Sequence, residues 1–154
     1  MPQHIFLETN SSGQTKKFAG LLASVIASRK RSNLKNALVL ALAGDLGSGK
    51  TTFVQGFLRG LGVRRKITSP TFVIAKSYKL KAKSYKLGYH IDCYRIEEPK
   101  ELSGLGLKEI LNNPENILLI EWPERIKKIL PKDLVWIKFE YGEKENERVL
   151  KFKQ

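Results

Sequence analysis

The 154-residue sequence predicts an α/β fold in one domain, with a mostly parallel central sheet flanked by helices and antiparallel strands at the edge and C-terminus. Three observations carry this. Ala37-Leu38-Val39-Leu40-Ala41-Leu42-Ala43 is a continuous apolar run of strand length without polar alternation, the pattern of a strand covered on both faces. A glycine-rich turn follows at once, and then Phe53, Val54, Phe57, Leu58 and Leu61 recur at helical spacing. Near the end, Leu134 to Tyr141 and Arg148 to Phe152 alternate around Gly142-Glu143-Lys144, as a closing β-hairpin does. The length suits a single core, and no linker-like stretch divides residues 1–154.

The remaining elements follow from local chemistry. Ile5 to Glu8 reads as a short strand. Asn10-Ser11-Ser12 offers N-caps for a helix with Phe18, Leu21, Leu22, Val25 and Ile26 as its apolar positions, ending in Arg29-Lys30-Arg31, where cations suit a helix C-terminus. Thr71 to Ala75 and Leu87 to Asp92 read as strands. Between them, Lys76-Ser77-Tyr78-Lys79-Leu80 recurs as Lys83-Ser84-Tyr85-Lys86-Leu87, which is read as a basic hairpin projecting from the sheet; its five lysines and absence of acid suit either a solvated edge or contact with RNA. Pro99 is placed to open a helix through Leu102, Leu105 and Ile110-Leu111, which Gly104 and Gly106 weaken. Asn116 to Glu121 is a second apolar strand, and Pro123 opens a short helix to Leu130.

The net charge of +13 is unevenly held. Residues 1–91 contain 16 basic side chains against two acids, Glu8 and Asp45, whereas residues 92–154 contain 12 basic and 13 acidic side chains. Such a field draws polyanions: a nucleotide, RNA or an acidic protein surface. The single cysteine, Cys93, excludes an internal disulfide, and no Cys/His cluster has zinc-ligand spacing. No apolar stretch is long enough to span a bilayer and no leader-like start is seen, so a cytoplasmic location is expected.

Gly44-Asp45-Leu46-Gly47-Ser48-Gly49-Lys50-Thr51 matches G-x-x-x-x-G-K-[ST], with a buried strand before it and an amphipathic helix after it, which makes the domain a P-loop NTPase. The glycines let consecutive N–H groups converge on phosphate, and the helix start adds partial positive charge. Lys50 supplies an ammonium for the β- and γ-phosphates of ATP, and Thr51 a hydroxyl for Mg²⁺. Phosphoryl transfer also needs a carboxylate for magnesium and a group that orients the attacking water. Glu121 and Asp92 both end strands and suit these roles, and Thr71, in Ser69-Pro70-Thr71-Phe72, suits a switch that senses the γ-phosphate. His90 is either an acid/base or a structural histidine, Arg95 either neutralises transition-state charge, reaches an RNA or protein partner or makes an ordinary salt bridge, and Trp122 is either a neighbour of the nucleotide or a packing residue. Cys93 is read as inert.

With those residues assembled, the sequence resembles the TsaE (YjeE) family of small bacterial ATPases. The resemblance rests on residues 44–52, Ile67-Thr68-Ser69-Pro70-Thr71-Phe72, His90-Ile91-Asp92-Cys93-Tyr94-Arg95 and Ile120-Glu121-Trp122-Pro123-Glu124, and covers roughly residues 5–141. It implies Mg²⁺-dependent ATP binding and slow hydrolysis that depends on the partner proteins TsaD and TsaB. The implied role is to support formation of threonylcarbamoyladenosine at position 37 of tRNAs reading codons that begin with A. It further implies that Gly47, Ser48, Gly49, Lys50, Thr51 and Thr52 hold phosphates, with Gly44 opening the loop, and that Thr51 and Glu121 ligate magnesium. Asp92 and Thr71 would belong to switch-like elements, and Ser12 would lie on the nucleobase side. The hairpin from Lys76 to Lys86 is more basic and longer than the family pattern.

Two other function classes stand beside this one. A small P-loop metabolite kinase would need an acceptor pocket and an arginine-rich lid, yet after Leu111 only Arg125 and Arg148 occur. An RNA-binding or adaptor module without turnover would tolerate loss of Lys50, Thr51, Asp92 and Glu121, all of which are intact.

Overall fold

The computed structural model describes residues 4–29, 33–70 and 73–154. Seven strands form one sheet: β1 (Ile5–Thr9), β2 (Leu38–Ala43), β3 (Ala75–Lys79), β4 (Leu87–Asp92), β5 (Asn116–Glu121), β6 (Val135–Tyr141) and β7 (Arg148–Lys153). Their spatial order is β1-β7-β6-β2-β5-β4-β3. The centre is parallel, with β2 between β5 and β6 and with β4 beside β5, whereas β1–β7, β6–β7 and β3–β4 pair antiparallel. The expected parallel centre and antiparallel edges are therefore both present. The helices are α1 (Ser12–Ser28), α2 (Lys50–Gly60) and α3 (Leu107–Leu111).

The unbroken apolar run of β2 has a direct cause. Leu40 and Leu42 face a core shared with α1 and α2, while Val39 and Ala41 face a second core with Ile91, Cys93, Leu102 and Ile126. β5 divides in the same way, with Ile117 and Leu119 on the first side and Leu118 and Ile120 on the other. With both faces covered, alternation loses its polar half.

α1 begins as expected, with the Ser11 side chain accepting from the Gln14 amide. Its inward face differs from the expected one at two positions. Thr15, Ala19 and Ala23 are buried, whereas Leu21 and Val25 are 59% and 52% exposed. The cause is the close approach of α2. A Cβ on Gly56 would lie 2.3 Å from the Lys16 carbonyl oxygen, and one on Gly60 would lie 2.4 Å from that of Gly20. Backbones this near admit only small residues between them, so Ala19 and Ala23 take the seam, Phe18, Leu22 and Ile26 pack partly buried against the core beside it as expected, and Leu21 and Val25 face outward.

Three further expectations are corrected. The strand expected over residues 71–75 begins at Ala75 and runs to Lys79; Val73 and Ile74 form a bend, and Thr71 and Phe72 lie outside the described residues. The basic hairpin does not project. Tyr78 and Tyr85, the equivalent residues of the two repeats, are both buried in the α1–α2 core, and the Lys81 amide donates to the Leu61 carbonyl at 2.9 Å. The helix expected from Pro99 to Leu111 is a 3-10 segment, Pro99–Leu105, followed by α3, because Gly106 at φ 64° ends one and begins the other. Pro123 does open a short helical segment, a 3-10 stretch ending at Ile129. Among the described residues, no helix is long and apolar enough to cross a membrane.

Candidate functional site

The C-terminal ends of β2, β4 and β5 lie side by side at one edge of the sheet, where open parallel sheets gather their ligand sites. Residues 44–49 leave β2 and turn into α2. Gly47 at φ 75° and Gly49 at φ 101° occupy conformations that a side chain disfavours. α2 opens without a side-chain cap bond and without an acid in its first turn, so its first amides suit an anion.

Lys50 is 5% exposed and folds back over its own loop, where Nζ donates to the carbonyl oxygens of Gly44 at 2.5 Å and Asp45 at 2.8 Å. The Trp122 ring lies over the ammonium, 4.5 Å from Nζ to the centroid. Burial pushes the Lys50 ammonium below its usual range, against the opposing pull of Glu121, Glu124, Asp92 and Asp45.

Thr51 and Glu121 meet directly: Thr51 Oγ1 donates to Glu121 Oε1 at 2.7 Å, and Ser69 Oγ lies 3.2 Å from the same hydroxyl. Glu121 ends β5, is 2% exposed and stands opposite Asp92, which ends β4. Burial alone would raise Glu121, but His90, the Thr51 hydroxyl and Lys50 hold its carboxyl below the usual value. Asp92 is pushed the other way by burial and by the neighbouring Glu121 carboxylate, although Oδ1 accepts from the Tyr94 amide at 3.0 Å. Two adjacent carboxyls thus differ in how readily they ionise. His90 is fully buried with Nε2 3.4 Å from Glu121 Oε2, and neither ring nitrogen has a hydrogen-bond partner among the described residues.

These groups surround a cleft of about 300 Å³. Gly47, Ser48, Gly49, Lys50, Thr51, Thr52, Asp92, Glu121 and Trp122, all singled out from the sequence, line it. Gly44 lies beneath the loop and receives Lys50. Ser12 is exposed in the first turn of α1 and does not line the cleft, and Arg95 lines a neighbouring hollow. Thr71 lies outside the described residues.

Four contributors were not picked out by sequence reasoning. Ser69 and Tyr94 line the cleft, and the Tyr94 ring lies 4.9 Å from that of Trp122. Both residues sit inside motifs already quoted, so their neighbours were the available signal. Tyr141 and Arg148 come from the C-terminal hairpin: the Tyr141 hydroxyl donates to the Leu46 carbonyl and the Arg148 guanidinium to the Gly47 carbonyl. Nothing in the local sequence marks them.

The model of the threonylcarbamoyl adenosine biosynthesis protein TsaE matches residues 9–150, a span that includes every one of these side chains. The chain belongs to the TsaE family. It is 35% identical to the tRNA threonylcarbamoyladenosine biosynthesis protein TsaE of Haemophilus influenzae over 82% of this chain and 73% of that one. The Rickettsia typhi TsaE is 40% identical over 82% of this chain and 79% of that one, and the Bacillus subtilis TsaE 43% identical over 64% and 59%. The crystal structure of Bacillus subtilis YdiB superposes with a TM-score of 0.74 at 32% identity, covering 99% of this chain and 86% of that one. TsaE membership places the chain in tRNA threonylcarbamoyladenosine biosynthesis.

Proposed function

We propose that the chain is a magnesium-dependent ATPase of the cytoplasm, which acts with TsaD and TsaB in forming threonylcarbamoyladenosine at position 37 of tRNAs reading codons that begin with A. The observation that carries this reading is the 2.7 Å bond between Thr51 Oγ1 and Glu121 Oε1, which brings a hydroxyl from the phosphate-loop helix and a carboxylate from a distant strand to one point.

The donor set fits the implied ligands. Magnesium takes few protein oxygens and keeps several waters and phosphate oxygens, so Thr51 and Glu121 suffice; among the described residues, no three His, Cys, Asp or Glu side chains converge as a metal cage. Thr51 and Glu121 would hold the metal, whose positive charge would offset the negative charge that develops on the phosphate during transfer. Lys50 would exchange the Gly44 and Asp45 carbonyls for β- and γ-phosphate oxygens, with Trp122 shielding its ammonium from water. The amides of Gly47 to Thr52 would complete the phosphate cradle. Asp92 would orient the attacking water, and Ser69 would hold the Thr51 hydroxyl in place.

Dependence on partners has a physical rationale. Lys50 is the only cation among the described residues that line the cleft, and Arg148, which reaches the loop from outside, is engaged with the backbone carbonyls of Gly47, Glu145 and Glu147. An arginine supplied in trans commonly raises such turnover by several orders of magnitude. Phosphate release from Mg·ATP, measured with and without TsaD and TsaB, tests the proposal. Slow release alone and strong stimulation in the complex are expected. No hydrolysis in the full complex would overturn it.

A further inference from the structure

We propose that a groove on the β3 edge of the sheet, away from the phosphate loop, is a binding surface for the phosphate backbone of RNA. The groove, about 440 Å³ in volume, is lined by Arg64 and Arg65 from the segment after α2 and by Ser77, Lys79 and Lys81 from the hairpin. It lies beyond the ATPase reading and does not depend on it.

The alternation of the hairpin builds this surface. Tyr78, Leu80 and Ala82 pack toward the main core, so Lys79, Lys81 and Lys83 between them face outward and are exposed, as are Arg64 and Arg65. None of these five cations has an ion pair among the described residues; the nearby pair is Lys86 with Glu115. No acidic residue lines the groove. Arg65 and the backbone that carries the lysines are also held in place. Arg65 donates to the Ser77 carbonyl and stacks 4.3 Å from the Tyr78 ring centroid. The Lys81 amide is bonded to Leu61, the Leu80 amide to Lys86, and the Ser84 hydroxyl to the Arg29 carbonyl. Backbone fixed on both walls reduces the ordering cost of binding.

Charge and lining together favour RNA over an acidic protein. Protein interfaces centre on a desolvated apolar or aromatic anchor, and none of the exposed large hydrophobic residues lines this groove. A phosphate backbone needs only spaced cations and polar neighbours. RNA is also the class of polymer named for the relatives, which are tRNA threonylcarbamoyladenosine biosynthesis proteins.

The test uses the full chain without nucleotide, so its outcome is independent of whether the loop binds ATP. Fluorescence anisotropy of a fluorescein-labelled unmodified tRNA transcript is titrated at several salt concentrations. The compared proteins are wild type, an Arg64→Gln/Lys79→Gln/Lys81→Gln variant, and an equally discharged control, Lys128→Gln/Lys132→Gln/Lys153→Gln. Far-UV dichroism and melting curves confirm that all three are folded. The groove variant is expected to bind about ten-fold or more weakly near ~0.1 M salt, with the slope of log K against log salt reduced by about three, while the control stays near wild type. Equal losses in both variants would overturn the proposal by showing attraction to net charge alone. Displacement of the RNA by polyglutamate as effectively as by unlabelled tRNA would overturn it in favour of an acidic protein surface.

Discussion

Thr51 and Glu121 lie 70 positions apart in the chain and are joined side chain to side chain at 2.7 Å. The bond exists because β5 lies beside β2 in parallel register, with Leu42 opposite Glu121, so the end of one strand sits under the helix that the other launches.

Thr51→Ala removes a donor to a carboxylate that is 2% exposed. A hydrogen bond to a charged group is worth about 1.5–3 kcal/mol, so the folded state is expected to lose roughly that amount in denaturant melts. In calorimetry, Thr51→Ala and Lys50→Ala should each abolish useful Mg·ATP binding. Wild-type affinity in both would rule out the phosphate-loop assignment. Glu121→Ala should bind nucleotide but lose turnover in the partner complex; full turnover there would refute its role.

Tyr141→Phe tests the hairpin's hold on the loop. The hydroxyl donates to the Leu46 carbonyl from a side chain that is 52% exposed, so stability should change little. Nucleotide affinity should weaken by a few-fold, corresponding to about 0.5–1.5 kcal/mol for one hydrogen bond. An unchanged dissociation constant would show that the loop keeps its shape without this bond.

Gly56→Ala should destabilise the fold and Gly104→Ala should not. A Cβ at Gly56 would meet three backbone atoms of Lys16, whereas one at Gly104 would meet nothing within 4 Å. The first should cost about 3 kcal/mol and lower the melting temperature by roughly 6–12 °C. The second should be neutral or stabilising by about 0.5 kcal/mol. Equal melting temperatures for the two would contradict the tight α1–α2 contact.

Cys93 gives a pH signature. Burial, with Asp92 and Glu124 nearby, pushes its thiol from an ordinary 9.0 to about 12. A raised folded value favours the protonated form, so its contribution to stability is complete below about pH 9 and is lost as pH rises from there toward 12. Iodoacetamide at neutral pH should leave the folded protein unlabelled and modify it only in denaturant. Rapid labelling of the native chain would show that the thiol is neither buried nor suppressed.

The elements that hold the site were the most legible. The bounds of β4 and β5 match the sequence pattern in full and those of β2 to within a residue; β2 and β5 stand out because strands buried on both faces leave long apolar runs. β3 was misplaced because Thr71 to Ala75 is the more apolar stretch, yet the strand that pairs with β4 is the one whose Tyr78 reaches the core. The inward face of α1 departs from the hydrophobic pattern at two positions for a related reason, while Phe18, Leu22 and Ile26 follow it. Hydrophobicity favours Leu21 and Val25, but the space left by Gly56 and Gly60 admits only Ala19 and Ala23. Tyr141 and Arg148 could not be read at all, since their role depends on β6 lying beside β2, a relation set by topology.

The seam between α1 and α2 sets how the site can move. With backbone resting on backbone, only the methyl groups of Ala19 and Ala23 lie in the seam, which leaves little room for shear, and the two helices pack as one plate against the sheet. Lys50 is the first residue of that plate. On the proposed ATPase reading, entry and exit of a triphosphate would be accommodated ahead of it, in the few residues from Gly44 to Gly49, where Tyr141 and Arg148 hold the Leu46 and Gly47 carbonyls.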